Sequence, residues 1–271
     1  MPYVPTRAGD VFYEDRGRGA PVVLLHATLH DRQDFDLVAG PLAEHYRTIA
    51  VDWPGHGRSG PARGGPADAL TLAGVLADVV TGLDLEPATF IGNSVGGFAA
   101  ARLALDQPGR VAGLILVNTA GFTRPTPVSR LASQVLGRPR LARWLLPRLV
   151  PGYMKPRNGH DRAITHLVRE RARTAEGAQV AAALWRSFAA PGCDLRAAAP
   201  GITAPVLLVW GTRDTILPLA AGRQTHAALP AAPLHTFRTG HVVFASDPAA
   251  FLNLTLPFIE PASRNAAGAT R

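Results

Sequence analysis

The sequence predicts an α/β fold, a mostly parallel twisted sheet covered by helices on both faces, with a block of helices inserted near its middle. Three observations predict it. Short unbroken apolar runs alternate with stretches whose apolar residues recur at helical spacing, and most of the runs end in turn-forming residues. From about residue 121 to 190 the strand runs vanish, and they then resume.

Residues 11 to 16 read as a first strand, with a turn over Gly17 to Pro21. Pro21 to Leu25 is a second strand, apolar throughout and so suited to burial on both faces. Asp34 to Tyr46 reads as a helix, and Thr48 to Val51 as a short strand running into the turn-rich segment Asp52-Trp53-Pro54-Gly55-His56-Gly57-Arg58-Ser59. Thr71 to Leu85 places Leu72, Val75, Leu76, Val79, Val80 and Leu83 on one helical face before Glu86-Pro87 breaks it. Ala88 to Gly92 is a strand, Gly97 to Leu105 a helix and Val111 to Val117 a strand. In the inserted block, helical stretches around Leu131 to Leu149 and Ala163 to Phe188 are separated by Pro147, Pro151 and Pro156. Strands return at Pro205 to Trp210 and Leu234 to Arg238, and Pro248 to Leu256 is a closing helix that stops before Pro257. The expected organisation is a core of residues 1–121 and 191–261, a helical cap of 122–190, and a small, polar, disordered tail of 262–271.

Composition narrows the function classes. With 271 residues, 47% of them hydrophobic, the chain can bury the core of one large domain. No apolar stretch suits a signal peptide or a membrane span, so a soluble, cytoplasmic protein without membrane association is expected. Cys193 is the only cysteine, which excludes an internal disulfide and cysteine-cluster metal sites; no metal or cofactor is expected. The net charge of +8 is uneven, since residues 122–190 carry +10 and the remainder −2. No recognition-helix pattern or aromatic-interleaved basic strand accompanies it, so nucleic acid is not an expected partner. The arginines read either as a solvated cap surface or as partners for an anionic group on a small-molecule substrate. A monomer or homodimer is expected.

Gly92-Asn93-Ser94-Val95-Gly96-Gly97 joins a predicted strand to a predicted helix. A serine on such a turn is exposed to attack a substrate, and the residues two before and two after it must be small, as Gly92 and Gly96 are. A hydroxyl needs a base, and His241 follows the last predicted strand on a loop, whereas His226 and His235 fall inside regular elements, His56 in a structural turn, and His160 and His166 in the insertion. The base in turn needs an acid to fix its tautomer; Asp214 lies in the loop after a buried strand, and Val117-Asn118-Thr119-Ala120 offers no acid after the preceding one.

From about Val22 to Phe251, the insertion excepted, the chain resembles the α/β-hydrolase superfamily. The resemblance rests on His26, Asp52-x-x-Gly55-x-Gly57-x-Ser59, the turn at Ser94, Trp210-Gly211-x-x-Asp214-x-x-x-Pro218, and Gly240-His241 with Asp247-Pro248 after it. It implies a Ser94, His241 and Asp214 triad, and an oxyanion hole made by the backbone N–H groups of Val95 and Thr28. Ala27 departs from the glycine common after His26 in that superfamily. A serine nucleophile sets the chain apart from the haloalkane dehalogenases and epoxide hydrolases, which use aspartate. The expected function is a serine hydrolase acting on an ester, thioester or related carbonyl compound of small to medium size through an acyl-enzyme. Asn93 before the serine also resembles the carbon–carbon bond hydrolases of vinylogous diketones, although Val242 stands where those enzymes usually carry tryptophan. The same fold also serves lyases, cyclases and small-molecule receptors, and a non-hydrolytic role of that kind stays open at the level of sequence. His26, Leu29, Asn93, Trp144, Trp185 and Val242 are the expected substrate-binding residues.

Overall fold

A computed structural model describes residues 2–269. Strands β1 (Tyr3–Thr6), β2 (Gly9–Arg16), β3 (Pro21–Leu25), β4 (Arg47–Val51), β5 (Ala88–Asn93), β6 (Val111–Val117), β7 (Val206–Gly211) and β8 (Leu234–Phe237) form one sheet in the order β1-β2-β4-β3-β5-β6-β7-β8. β1 pairs with β2, and β2 with β4, antiparallel at one edge, and every pairing from β4–β3 onward is parallel. The order reverses direction at β3, whose two neighbours are β4 and β5. In such sheets a crevice opens beyond the strand carboxyl ends at this point, and the loops after β3 and β5 flank it.

The strand period of two sorts side chains between two cores. Val23 and Leu25 of β3 face one side, with Val75, Leu76 and Val79 of α2 (Ala69–Gly82) and Phe98 and Ala99 of α3 (Val95–Asp106). Val22 and Leu24 face the other side. There they meet Val38 of α1 (Asp36–Ala43), Phe244 of a short helix near residue 244, and Phe251 and Ile259 of the closing helix.

The insertion holds four helices between β6 and β7: α4 (Pro127–Leu136), α5 (Pro139–Met154), α6 (Gly159–Arg173) and α7 (Ala175–Ser187). Thr126, Asn158 and Thr174 start α4, α6 and α7, each side chain accepting a backbone N–H bond from the first turn. Pro147 and Pro151 do not separate helices as expected; both lie inside α5. The stripe Ala142, Leu146, Val150 and Met154 is buried with Val168 of α6 and Ala181 of α7, and this burial outweighs the two missing N–H donors. After β7 come α8 (Leu219–Ala228), the short α9 (Val243–Ser246) and α10 (Pro248–Ala269).

Three other expectations are corrected. The single helix expected from Asp34 is a 3₁₀ turn, Arg32–Phe35, followed by α1, because the Asp31 side chain accepts from Gln33 N and starts the turn early. The closing helix does not stop before Pro257, and the tail expected to be disordered from residue 262 is helical as far as Ala269. Phe251, Thr255, Ile259 and Ala262 form a buried helical stripe, with Pro257 and Pro261 exposed. Residues 270–271 lie outside the described residues.

Ile259 tests this. It is fully buried, so Ile259→Ala should lower the unfolding free energy by about 2–4 kcal/mol in urea titration. A loss below about 0.5 kcal/mol, the level of an ordinary surface change, would contradict a packed second half of α10.

Candidate active site

Ser94 sits between β5 and α3 with φ 55° and ψ −114°, a region L-residues rarely occupy. The turn that holds it there is too tight for side chains beside it. A Cβ on Gly92 would stand 2.6 Å from the Gly96 carbonyl, and one on Gly96 would stand 2.3 Å from the Leu25 oxygen. The Ser94 backbone is pinned by its N–H to Val117 O at 3.1 Å and by its carbonyl accepting from Phe98 and Ala120. Val95 is the first residue of α3, so its N–H has no partner within the helix.

His241 Nδ1 lies 2.5 Å from Asp214 Oδ2. The Asp214 carboxylate is fully occupied: Oδ1 accepts from Ile216 N and Leu217 N at 2.8 and 3.0 Å, and Oδ2 also accepts from Asn118 Nδ2 at 2.7 Å. Asn118 Oδ1 accepts from Gly211 N at 2.8 Å. The position after β6 that lacks an acid therefore carries an amide that ties β6 to β7 and aims the Asp214 oxygen.

The His241 backbone is gripped from two sides. Its N–H donates to Tyr153 O of α5 at 3.1 Å, and its carbonyl accepts from Asn93 Nδ2 at 3.1 Å. Gly240 is needed next to it, since a Cβ there would fall 1.9 Å from the Met154 oxygen. The Tyr153 ring stands edge-on to the imidazole at 5.4 Å, and its phenol is pushed above its ordinary pKa by burial and then by the Asp214 and Asp34 carboxylates. It is therefore a neutral neighbour of the histidine.

The loop after β3 is held by the segment after β4. Leu29 N donates to His56 Nε2 at 3.0 Å, Arg32 N to Asp52 Oδ1 at 2.9 Å, and Arg171 of α6 donates to Leu29 O and Asp31. Gly57 permits this, because a Cβ there would collide with the Asp52 carboxylate at 2.2 Å. The loop's positive φ falls on Leu29, at 69°, and not on Ala27. Alanine therefore fits after His26 without backbone strain.

Ser94, His241, Thr28, Leu29, Trp185 and Arg130 line one cavity of about 220 Å³, together with Leu146, Tyr153, Leu184, Phe188 and the Cys193 side chain. Burial pushes the Cys193 thiol up to about 11, so it stays protonated. Four expected substrate-binding residues stand elsewhere. His26 is a buried strut: Nδ1 meets Ala27 O at 2.7 Å and Nε2 accepts from Trp53 N at 3.0 Å, leaving no ring nitrogen for a ligand. Asn93 is buried behind the serine, spending its amide on Val117 O and His241 O. Val242 is in the core beneath α9, and Trp144 lies 59% exposed on the outer face of α5, stacked under Arg148. Neighbours of a motif share its backbone turn, and the turn points them away from the cavity. Among the described residues no cluster of three or more His, Cys, Asp or Glu is arranged to hold a metal, and no helix is long and apolar enough to cross a membrane.

Asn118, Tyr153 and His30 are site neighbours that sequence reasoning missed. Tyr153 had no signal, being brought in by α5. Asn118 and His30 had one: an amide where the acid was sought, and a histidine followed four residues later by Asp34.

A parallel sheet reversing at β3, with a strained serine turn after β5 and a His–Asp pair on the loops after β7 and β8, defines an enzyme of the α/β-hydrolase fold. The chain belongs to the alpha/beta hydrolase family, whose model matches residues 22–254. It is 31% identical over 263 residues to an uncharacterized protein of Mycobacterium tuberculosis, covering 90% of this chain and 76% of that one. It is 28% identical to the 2-hydroxy-6-oxononadienedioate/2-hydroxy-6-oxononatrienedioate hydrolase of Cupriavidus pinatubonensis, over 95% of this chain and 94% of that one. Among solved structures it resembles the enol-lactonase from Burkholderia xenovorans with a TM-score of 0.80 and 25% identity, over 96% of this chain and all (100%) of that one.

The struts predict an acid-sensitive fold. Burial lowers His56 to about 4 and holds His26 well below its ordinary value. A histidine depressed in the folded state stabilises above its unfolded pKa and loses that contribution as pH falls toward its folded pKa. His56 alone should remove on the order of 2 kcal/mol between pH 6.5 and 5. Urea unfolding of the protein and of His56→Gln at both pH values measures it: the variant should lose less stability on acidification, and equal losses would contradict the assignment.

Proposed function

We propose that the protein is a serine hydrolase of small carboxylic esters, with Ser94 as nucleophile, His241 as general base and acid, and Asp214 as its orienting carboxylate. One observation carries the proposal: the strained Ser94 and the Asp214-anchored imidazole of His241 open onto the same cavity. With Nδ1–H donated to Asp214, Nε2 of the neutral ring is an acceptor and takes the Ser94 Oγ proton as the oxygen attacks the carbonyl. The tetrahedral oxyanion receives N–H bonds from Val95, at the positive end of α3, and from Thr28. His241 then protonates the departing alcohol, and water repeats the steps in reverse roles to release the acid from Ser94.

Helices α4 to α7 act as the cap. They supply Leu146, Leu184, Trp185 and Phe188, a mostly apolar wall that fits a short acyl or alkyl group. Of the cap arginines, Arg130 reaches the cavity, while Arg171 pairs with Asp31, Arg173 with Glu170 and Arg157 with Asp247. The cap charge is therefore chiefly structural and superficial.

Carbon–carbon hydrolysis is the second reading, favoured by the Cupriavidus relative's activity. Ester hydrolysis is preferred because Asn93, which carries that resemblance, does not face the cavity, and Val242, which departs from it, is buried away from the cavity as well.

A fluorophosphonate probe should label the protein at one site, and Ser94→Ala should remove the label. On p-nitrophenyl esters of graded length Asp214→Asn should lower kcat by roughly 10⁴ with the fold intact, since its amide cannot hold the imidazole tautomer. Undiminished labelling of Ser94→Ala, or turnover of a coloured ring-fission dienone with none of any ester, would overturn the reading.

A further inference from the structure

The outer face of the cap carries a second groove, of about 290 Å³, between α5 and α6. Arg143, Trp144, Pro147 and Arg148 line it from α5, and Arg169 and Arg173 from α6. It shares no lining residue with the cavity that holds Ser94. Pro147 is buried, while Trp144 and all four arginines are exposed and so open to a ligand. No carboxylate lines the groove.

Contacts within the chain account for only part of this charge. Arg143 Nε donates to the Arg173 carbonyl at 2.6 Å, joining α5 to the last residue of α6. Arg148 lies over the Trp144 ring, 4.5 Å from its centroid, and donates to the Trp144 carbonyl. Arg173 pairs with Glu170, but both side chains are nearly half exposed and the pair is screened by water. The Arg169 side chain has no hydrogen bond or ion pair among the described residues. Arg169 and Arg173 stand four residues apart on one helix, a spacing at which like charges repel. Asp161, the other acid of these two helices, is buried at the start of α6 and accepts from Arg157 N, so it does not offset them.

We propose that this groove binds a phosphate group carried by a small molecule, held by guanidinium groups from both helices. A cleft lined by charge of one sign concentrates its field on an opposite charge that enters it. Guanidinium forks match phosphate and carboxylate oxygens alike, but the two oxygens of a carboxylate lie in one plane and suit one fork. The oxygens of a phosphate point in several directions, so forks from α5 and α6 can meet on one centre. Trp144, 59% exposed, gives the carbon part of such a molecule an aromatic surface to rest on. The site stands apart from the Ser94 cavity and does not depend on the reaction proposed there.

Calorimetric titration of the full chain with inorganic pyrophosphate, in about 20 mM salt so that screening is weak, tests the site. Saturable binding with a Kd below about 1 mM is expected. Arg148→Gln and Arg169→Gln each remove one fork from one helix, and each should weaken binding about tenfold. Arg223→Gln, which removes the same charge from an exposed position on α8, should change it less than about twofold. Citrate, with similar charge carried on carboxylates, should bind at least about tenfold more weakly. A wild type with no saturable binding below about 10 mM overturns the proposal, without any variant having to fold. An unchanged Kd in both Arg148→Gln and Arg169→Gln overturns it too, since the anion is then held elsewhere. So does an equal loss in Arg223→Gln, which would mean general attraction to a basic chain, and so does citrate binding as tight as pyrophosphate. Sedimentation with vesicles of phosphatidic acid in phosphatidylcholine, without pyrophosphate binding, would place the phosphate on a lipid surface and overturn the small-molecule site.

Discussion

The contact on which the rest of the site depends is the approach of the first turn of α3 to the ends of β3 and β5. Gly92, Gly96 and Gly97 each leave out a side chain that would collide with backbone or with Thr119. Only that closeness keeps Ser94 at a backbone angle otherwise unfavourable for serine, a strain of order 1–3 kcal/mol that the surrounding hydrogen bonds must hold. The serine is thereby lifted toward the carboxyl ends of the strands, and Val95 N–H is left without an intrahelical partner at a helix start. Strain, exposure and an available donor all follow from three missing methyl groups.

Every other functional group is brought to this point by a different strand, and each connection is a specific bond. Asn93, one residue before the serine, ties β5 to the His241 loop. Asn118 ties the end of β6 to Asp214 and to β7. Tyr153 O ties α5 to His241 N, so the inserted helices are fastened to the histidine loop they cover. A shift in α5 would move the His241 loop directly, which makes the insertion part of the frame of the candidate site.

Most of the sheet was legible because fully buried parallel strands are apolar without interruption: Pro21–Leu25 and Val111–Val117 appear in the sequence at their observed bounds. The Ser94 turn, Asp214 and His241 were legible because close packing and chain order constrain them. The prolines misled. Pro147, Pro151 and Pro257 break helices by local rules, yet lie within α5 and α10, where burial of a long apolar stripe decides. The short edge strand β1 carries no apolar run and was missed. Substrate contacts were the least legible. His26, Asn93 and Val242 sit beside motif residues in sequence but point into the protein, while Tyr153 enters the site through tertiary packing that no local pattern records, and His30 shows in the sequence only as a histidine four residues before Asp34.

The covalent acyl intermediate proposed on Ser94 is the step on which the proposed function turns, and pre-steady-state hydrolysis of a p-nitrophenyl ester reads it out. A burst of nitrophenol close to one equivalent per chain is expected, together with the acyl mass on the peptide that carries Ser94 after acid quench. Turnover accompanied by the acyl mass on a different residue would contradict it.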